Sequence, residues 1–361
     1  MAPCNKLLAP LAMLVPLALT IPATGHAQVR TNVPPVVEGA KPVIMQRIKI
    51  HGSALEGNLE GNAVDRDVIV VLPPSYETAA DRRYPVVYAL HGYSIGAEQW
   101  ITEIHVPQTV EGAFGLGTQE MIVVLPDSKS VHNGSMYSSS VTTGNFERFI
   151  ARDVVEYIDA NYRTIADRRS RGLVGHSMGG YGAARIGMKH ADTFGSLYLM
   201  SPCCLSPRGA GQMDAENEAA IAALTSPQQS ESLPRGLRSQ LAAASAWSPN
   251  PLDPPLYVDL PINDGEVQAE VLARFAANAP IAFVHQYIAD LRQYDAISMD
   301  VGDQDGLRAD TERLHEILDS YGIENGFEVY RGTHTSEVAD RFQNHVLPFF
   351  GQHLCATLRC G

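Results

Sequence analysis

Arg171-Gly172-Leu173-Val174-Gly175-His176-Ser177-Met178-Gly179-Gly180 decides the fold of this chain. An apolar β-type run leads into Gly-x-Ser-x-Gly, and an Ala-rich amphipathic segment follows. A serine in that setting sits on a strained turn between a strand and a helix. The turn presses its flanking residues together, so Gly175 and Gly179 must lack side chains. Ser177 Oγ then stands exposed above a sheet, with a helix N-terminus behind it. The positive end of that helix, and the Met178 N–H in particular, can stabilise an oxyanion. A bare Gly-x-Ser-x-Gly match is common; the strand before it and the helix after it give this one its meaning.

The surrounding sequence alternates in the same way. Before the elbow, strand-like runs are predicted at 43–51, 67–72, 86–90 and 121–125, the first two as an antiparallel start. Val86-Val87-Tyr88-Ala89-Leu90 is continuously apolar, as expected of a parallel strand buried on both faces. Phe146, Phe149, Ile150, Val154 and Ile158 recur near helical spacing and predict an amphipathic helix over 146–162. After the elbow come a helix over 178–189 and a strand over 196–200. Later come a strand over 296–301, a helix over 307–321, a strand over 327–331 and a closing helix around 336–350. Strands alternating with helices indicate a mostly parallel α/β sheet flanked by helices; with the serine elbow it resembles the α/β-hydrolase fold.

Residues 203–294 break this rhythm. Helical stretches at 215–224, 267–276 and 281–291 surround the Pro-rich Trp247-Ser248-Pro249-Asn250-Pro251-Leu252-Asp253-Pro254-Pro255. The segment reads as a cap inserted between two core strands, at the sheet edge where open α/β folds bind ligands. Trp247 is its candidate substrate-binding residue; the bland alternative is that Trp247 belongs to the core of the cap.

A serine nucleophile needs a base, and the base needs an orienting acid. In this fold the chain order is Ser, acid, His. Met299-Asp300-Val301-Gly302-Asp303-Gln304-Asp305 ends a strand after the elbow, and Asp305 is the expected acid, with Asp303 as its rival. Val329-Tyr330-Arg331-Gly332-Thr333-His334 supplies strand, glycine turn and histidine, so His334 is the expected base. His176 abuts the nucleophile; it is a packing or hydrogen-bonding group there and a candidate substrate contact, not the base. The second oxyanion donor is expected after the strand 86–90, from the Tyr93 N–H beyond Leu90-His91-Gly92.

Bulk properties narrow the partners. Among 361 residues, 27 Lys and Arg face 40 Asp and Glu, a formal net charge of −13. No long basic run is present, which disfavours nucleic acid and anionic surfaces as ligands. The start has the three regions of a secretory signal: Lys6, the apolar stretch from Leu7 to Ile21, and small residues before a cut after Ala27. Residues 1–27 are therefore read as a signal peptide, 28–42 as a linker, 43–354 as the catalytic domain and 355–361 as a tail. A periplasmic or secreted bacterial protein is expected, with no stable membrane insertion once the signal is removed. The oligomeric state is not legible. Cys203, Cys204, Cys355 and Cys360 would remain, enough for two disulfides of open pairing. No metal-ligand spacing occurs.

The elbow and its flanks resemble the esterase-D-like branch of the α/β-hydrolases. This group includes S-formylglutathione hydrolases, feruloyl and acetyl-xylan-type esterases, siderophore esterases and mycolyltransferases. The resemblance covers about residues 65–202 and 295–350. It rests on Gly-His-Ser-Met-Gly-Gly-Tyr-Gly-Ala at 175–183, Phe194-Gly195-Ser196 and Met200-Ser201-Pro202. Leu-Pro-Pro-Ser-Tyr at 72–76, Leu-His-Gly at 90–92 and Tyr-Ile-Asp-Ala-Asn-Tyr-Arg-Thr at 157–164 are similar as well. It implies a Ser177–His334–Asp305 triad, an oxyanion hole from the Met178 and Tyr93 amides, and no cofactor. Two features depart from the pattern: Thr335-Ser336-Glu337 follows His334 where an aromatic is common, and the insertion is long. The expected activity is hydrolysis of a small-molecule or polymer-linked carboxylic ester. An acyltransferase with an alcohol acceptor, a peptidase and a non-catalytic binding protein are the competing readings.

Overall fold

A computed structural model describes residues 29–210 and 213–357, and its apolar runs align as one eight-stranded sheet. In chain order the strands are β1 (Ile44–His51), β2 (Asp65–Leu72), β3 (Val86–Leu90), β4 (Ile122–Pro126), β5 (Arg171–His176), β6 (Ser196–Met200), β7 (Ala296–Gly302) and β8 (Gly326–Tyr330). Across the sheet they lie in the order β1-β2-β4-β3-β5-β6-β7-β8. β2 is antiparallel to β1 and β4, and every other pairing is parallel.

Parallel strands need cover on both faces, and the side chains divide accordingly. Val86, Tyr88 and Leu90 of β3 join one core and Val87 and Ala89 the other. The first core is closed by the helical run Phe146–Arg148 to Val155–Asn161, the nucleophile helix Met178–Lys189 and the helix Arg308–Ser320. The second is closed by Ala97–Glu103, Gln108–Gly115 and the run from Val338–Arg341 to Leu347–His353. Parallelism has a geometric consequence: β3, β5, β6, β7 and β8 all end at one edge. The turns after Leu90, His176, Met200, Gly302 and Tyr330 therefore meet there.

The insertion has a small core of its own, built from Ile221, Leu224, Leu237, Leu241, Ala244, Leu256 and Val258. Its longest helix, Arg235–Trp247, was not anticipated from sequence. The stretch 281–291, expected to be one helix, is three pieces: Pro280–Phe283, a 3₁₀ turn at Val284–Gln286, and Ile288–Leu291. Phe283, Val284, Ile288 and Leu291 all turn into the main core. That packing overrides the local helical preference.

Residues 29–42 carry no strand or helix, yet they lie fastened to the body. Val29 N–H donates to Glu103 at 2.8 Å and Asn32 N–H to the Ser336 carbonyl at 2.5 Å. The expected signal peptide lies outside the described residues, as does Cys360. Among the described residues, no helix is long and apolar enough to cross a membrane.

Candidate active site

Ser177 joins β5 to the helix Met178–Lys189 with φ 59° and ψ −114°. That conformation costs a non-glycine residue about 1–3 kcal/mol and persists only where neighbours enforce it. Here the Ser177 N–H donates to the Met200 carbonyl at 3.0 Å. Its own carbonyl accepts from the Tyr181 and Cys203 N–H groups, both at 3.0 Å. A Cβ on Gly175 would fall on the Gly179 carbonyl, and one on Gly179 would fall on the Leu90 carbonyl. Met178 is the first helical residue, so its N–H is one of the donors an α-helix leaves unpaired.

The turn after β8 brings His334 to the serine. His334 Nε2 lies 2.9 Å from Ser177 Oγ, and Nδ1 lies 2.8 Å from Asp305 Oδ2. A carboxylate only accepts, so Nδ1 carries the proton and Nε2 offers its lone pair toward the hydroxyl. The Asp305 carboxyl is nearly buried, at 3 % side-chain exposure, whereas the His334 ring is 35 % exposed. Burial pushes the Asp305 pKa up, but His334, the Leu307 N–H and the Ser201 hydroxyl outweigh it and hold it below the ordinary value. Asp305 is thus an anion facing an imidazole that reaches solvent.

The two rival aspartates have separate partners. Asp303 Oδ1 accepts the Gly332 N–H at 2.9 Å and so ties down the turn that presents His334. The Asp303 N–H donates to the Tyr330 carbonyl at 2.7 Å and the Gln304 N–H to the Gly332 carbonyl at 2.9 Å. The β7 and β8 turns approach so closely that a Cβ on Gly302 would meet the Gly332 carbonyl.

His176 is 2 % exposed and lies behind the His334 ring, so it does not line an open substrate cleft as the sequence reading allowed. Its Nε2–H donates to the His334 carbonyl at 2.8 Å, and the rings lie 4.9 Å apart between centroids, tilted by 34°. Burial, with His334 beside it, pushes the His176 pKa down to about 3, so it is a neutral prop. Ser201, given no role from sequence, lies beside Asp305 and helps to hold its pKa down, and its hydroxyl meets Tyr330 Oη at 3.4 Å. Its signal was positional: it follows β6, the strand next to the elbow.

Tyr93 follows Gly92, where an added Cβ would stand 3.5 Å from Ser177 Cβ. Its N–H therefore belongs to a loop that runs along the serine. The phenol anchors that loop by donating to the His132 carbonyl at 3.1 Å. Arg235 of the insertion sits 5.9 Å from the Tyr93 ring centroid, so the insertion does reach this edge. Trp247 lies elsewhere. It packs against Tyr181 and Phe275, at 5.6 and 5.3 Å between centroids, and its Nε1–H donates to Ser138 Oγ at 3.2 Å. It closes the joint between insertion and body. Among the described residues, no three His, Cys, Asp or Glu side chains group as metal ligands.

Strand order, elbow and strand-end turns define a protein of the α/β-hydrolase type. The chain belongs to the family described as "Putative esterase", whose model matches residues 63–353. It is 34 % identical over 132 residues to an esterase of Mycobacterium tuberculosis (strain ATCC 25618 / H37Rv), which covers 36 % of this chain and 27 % of that protein. It is 26 % identical over 137 residues to an endo-1,4-beta-xylanase/feruloyl esterase of Xylanibacter ruminicola, covering 37 % of this chain and 19 % of the relative. The chain thus spans only a minor part of these relatives. Among solved structures, a ferulic acid esterase superposes with a TM-score of 0.61 at 23 % identity, over 87 % of this chain and 99 % of the other. An S-formylglutathione hydrolase from Staphylococcus aureus gives 0.54 at 15 % identity, over 89 % and 99 %. These likenesses are of fold.

Proposed function

We propose that the protein cleaves carboxylic esters through an acyl-enzyme on Ser177, with His334 as general base and acid and Asp305 as the orienting anion. The observation that carries this reading is the continuous chain Asp305 Oδ2–His334–Ser177 Oγ, with contacts of 2.8 and 2.9 Å, ending on a serine of positive φ. Ser177 Oγ attacks the ester carbonyl carbon as its proton passes to His334 Nε2. Asp305 stabilises the imidazolium that forms. The Met178 and Tyr93 N–H groups receive the developing oxyanion, each worth about 3 kcal/mol of transition-state stabilisation. His334 returns the proton to the departing alkoxide, then activates a water that attacks the acyl carbon and frees Ser177.

The half-exposed imidazole leaves the reacting atoms open to solvent, which suits water as the acceptor and an ester presented on a larger molecule. The same reading includes export through residues 1–27. Incubation with a fluorophosphonate tests the site directly. Ser177 is expected to take the phosphonyl group stoichiometrically. Labelling of another residue, or none at Ser177 in folded protein, overturns the assignment.

A further inference from the structure

Beyond β6 the chain continues Ser201-Pro202-Cys203-Cys204, and this segment touches both ends of the proposed triad. The Cys203 N–H holds the Ser177 carbonyl at 3.0 Å, and the Ser201 hydroxyl lies near enough to Asp305 to help hold its pKa down. Pro202 packs so tightly on the nucleophile helix that a Cβ on Gly180 would come within 2.7 Å of the Pro202 Cα. Ser201 and Cys204 have positive φ, 40° and 58°. Such a segment is strained and fully engaged, so a small movement in it is transmitted to the serine.

Its two thiols are free and partly exposed, and their sulfurs lie 2.7 Å apart. That is well inside an ordinary non-bonded contact and within about 0.7 Å of an S–S bond. The thiols are also unequal. The contact between the sulfurs, with burial, pushes the Cys203 pKa up, while the same contact and Arg208 hold Cys204 down against burial. Cys355 is separately disulfide-bonded and takes no part.

We propose that Cys203 and Cys204 are a redox-active vicinal pair whose closure to a disulfide slows turnover at Ser177. The oxidant is a disulfide, either a small one or that of an oxidoreductase. The Cys204 thiolate attacks one of its sulfurs, forming a mixed disulfide and expelling one thiolate. Cys203, deprotonated, then attacks Cys204 Sγ, closing the ring and expelling the second. The pair loses two electrons and two protons, and the oxidant becomes two thiols. Closure forces the peptide between the two residues into a small ring, which draws the Cys203 N–H away from the Ser177 carbonyl. A ring between neighbours is strained, so mild thiols reopen it.

The test equilibrates the full chain in mixtures of glutathione and glutathione disulfide, traps thiols with N-ethylmaleimide, and reads the peptide carrying both cysteines by mass. At the oxidised end that peptide is expected unalkylated and lighter by two hydrogens. A displacement well under 1 Å at the nucleophile predicts a fall in kcat of about tenfold, with the same midpoint as the mass change. C203S and C204S should each remove the response while the melting temperature shows a folded protein. Two maleimides on the peptide at every ratio, or glutathione adducts without ring closure, overturn the pair. A closed ring with unchanged or faster turnover overturns the coupling. The turnover half rests on the triad reading, but the mass readout needs no substrate, so failure of one is distinguishable from failure of the other.

Discussion

The turns at the carboxyl edge of the sheet and the insertion beside them are held by different forces. In the turns, main chain binds main chain: Ser177 to Met200, Ser201 to Asp300 at 2.8 Å, Asp303 to Tyr330. Positions of reacting atoms follow from strand register, and side chains only complete them. The insertion has its own apolar centre and reaches the body through side chains. Arg238 donates to the Val131 carbonyl at 2.6 Å, Thr142 to the Tyr257 carbonyl at 2.7 Å, and His132 meets Ser230 Oγ at 2.7 Å. Each such bond contributes about 1 kcal/mol. Chemistry is thus assigned to the stiffer region, and the adaptable region is fastened on with replaceable contacts.

The sharpest way to break this comparison is at its stiff end. S177A should lower kcat by about 10⁶-fold while the melting temperature stays near that of the parent, because alanine suits the same turn. A folded S177A with substantial turnover would remove the serine from the chemistry. Next in size is the aspartate pair. D305N should cost up to about 10⁴-fold, since asparagine loses the charge that stabilises the imidazolium. D303N should cost under about tenfold, because its carbonyl oxygen still accepts the Gly332 N–H. The reverse ranking would show that the turn itself, not the anion on His334, limits the rate.

Acid should then loosen the joint with the insertion before it disturbs the sheet. Burial pushes the Glu147 carboxyl up, but His190, Arg185 and Lys189 prevail and hold it at about 2. Arg185 in turn donates to Asn278 of the insertion at 2.9 Å. Because the folded pKa is depressed, this contribution is complete above the unfolded value near 4.5 and is lost as pH falls toward 2. It amounts to ~3 kcal/mol, and unfolding of E147Q should show a correspondingly flatter acid limb than the parent. An unchanged acid limb would place the sensitivity elsewhere. W247A is expected to act on stability, costing about 3 kcal/mol, with equal fractional losses on a small and a bulky ester. A KM rise confined to the bulky ester would restore Trp247 to substrate binding.

The same division governs what the sequence made legible. β3, β6 and the nucleophile helix match their expected bounds because continuous apolar runs and glycine turns are local signals. Ser177 and His334 were legible because topology demands a residue at each position. Asp305 was preferred to Asp303 on a slighter signal, since two positions on one turn differ only in the path of the backbone. Arg235–Trp247 escaped because its apolar residues are divided between two cores, and the break in 280–291 escaped because its apolar residues all turn into the main core. His176 showed its place beside the serine but not its bond to the His334 carbonyl, which joins residues 158 apart in the chain.

The insertion leaves from β6 and returns into β7, and these are neighbours, paired from Ser196↔Ala296 to Met200↔Asp300. The two strands run parallel, so the insertion leaves at the carboxyl edge after Met200 and re-enters at the opposite edge before Ala296, about 13 Å further along the strands. Its returning leg covers that distance with Phe283, Val284, Ile288 and Leu291 set into the main core. The part of the insertion with its own core is thus carried beside the Ser177 turn, and the part that returns belongs to the body.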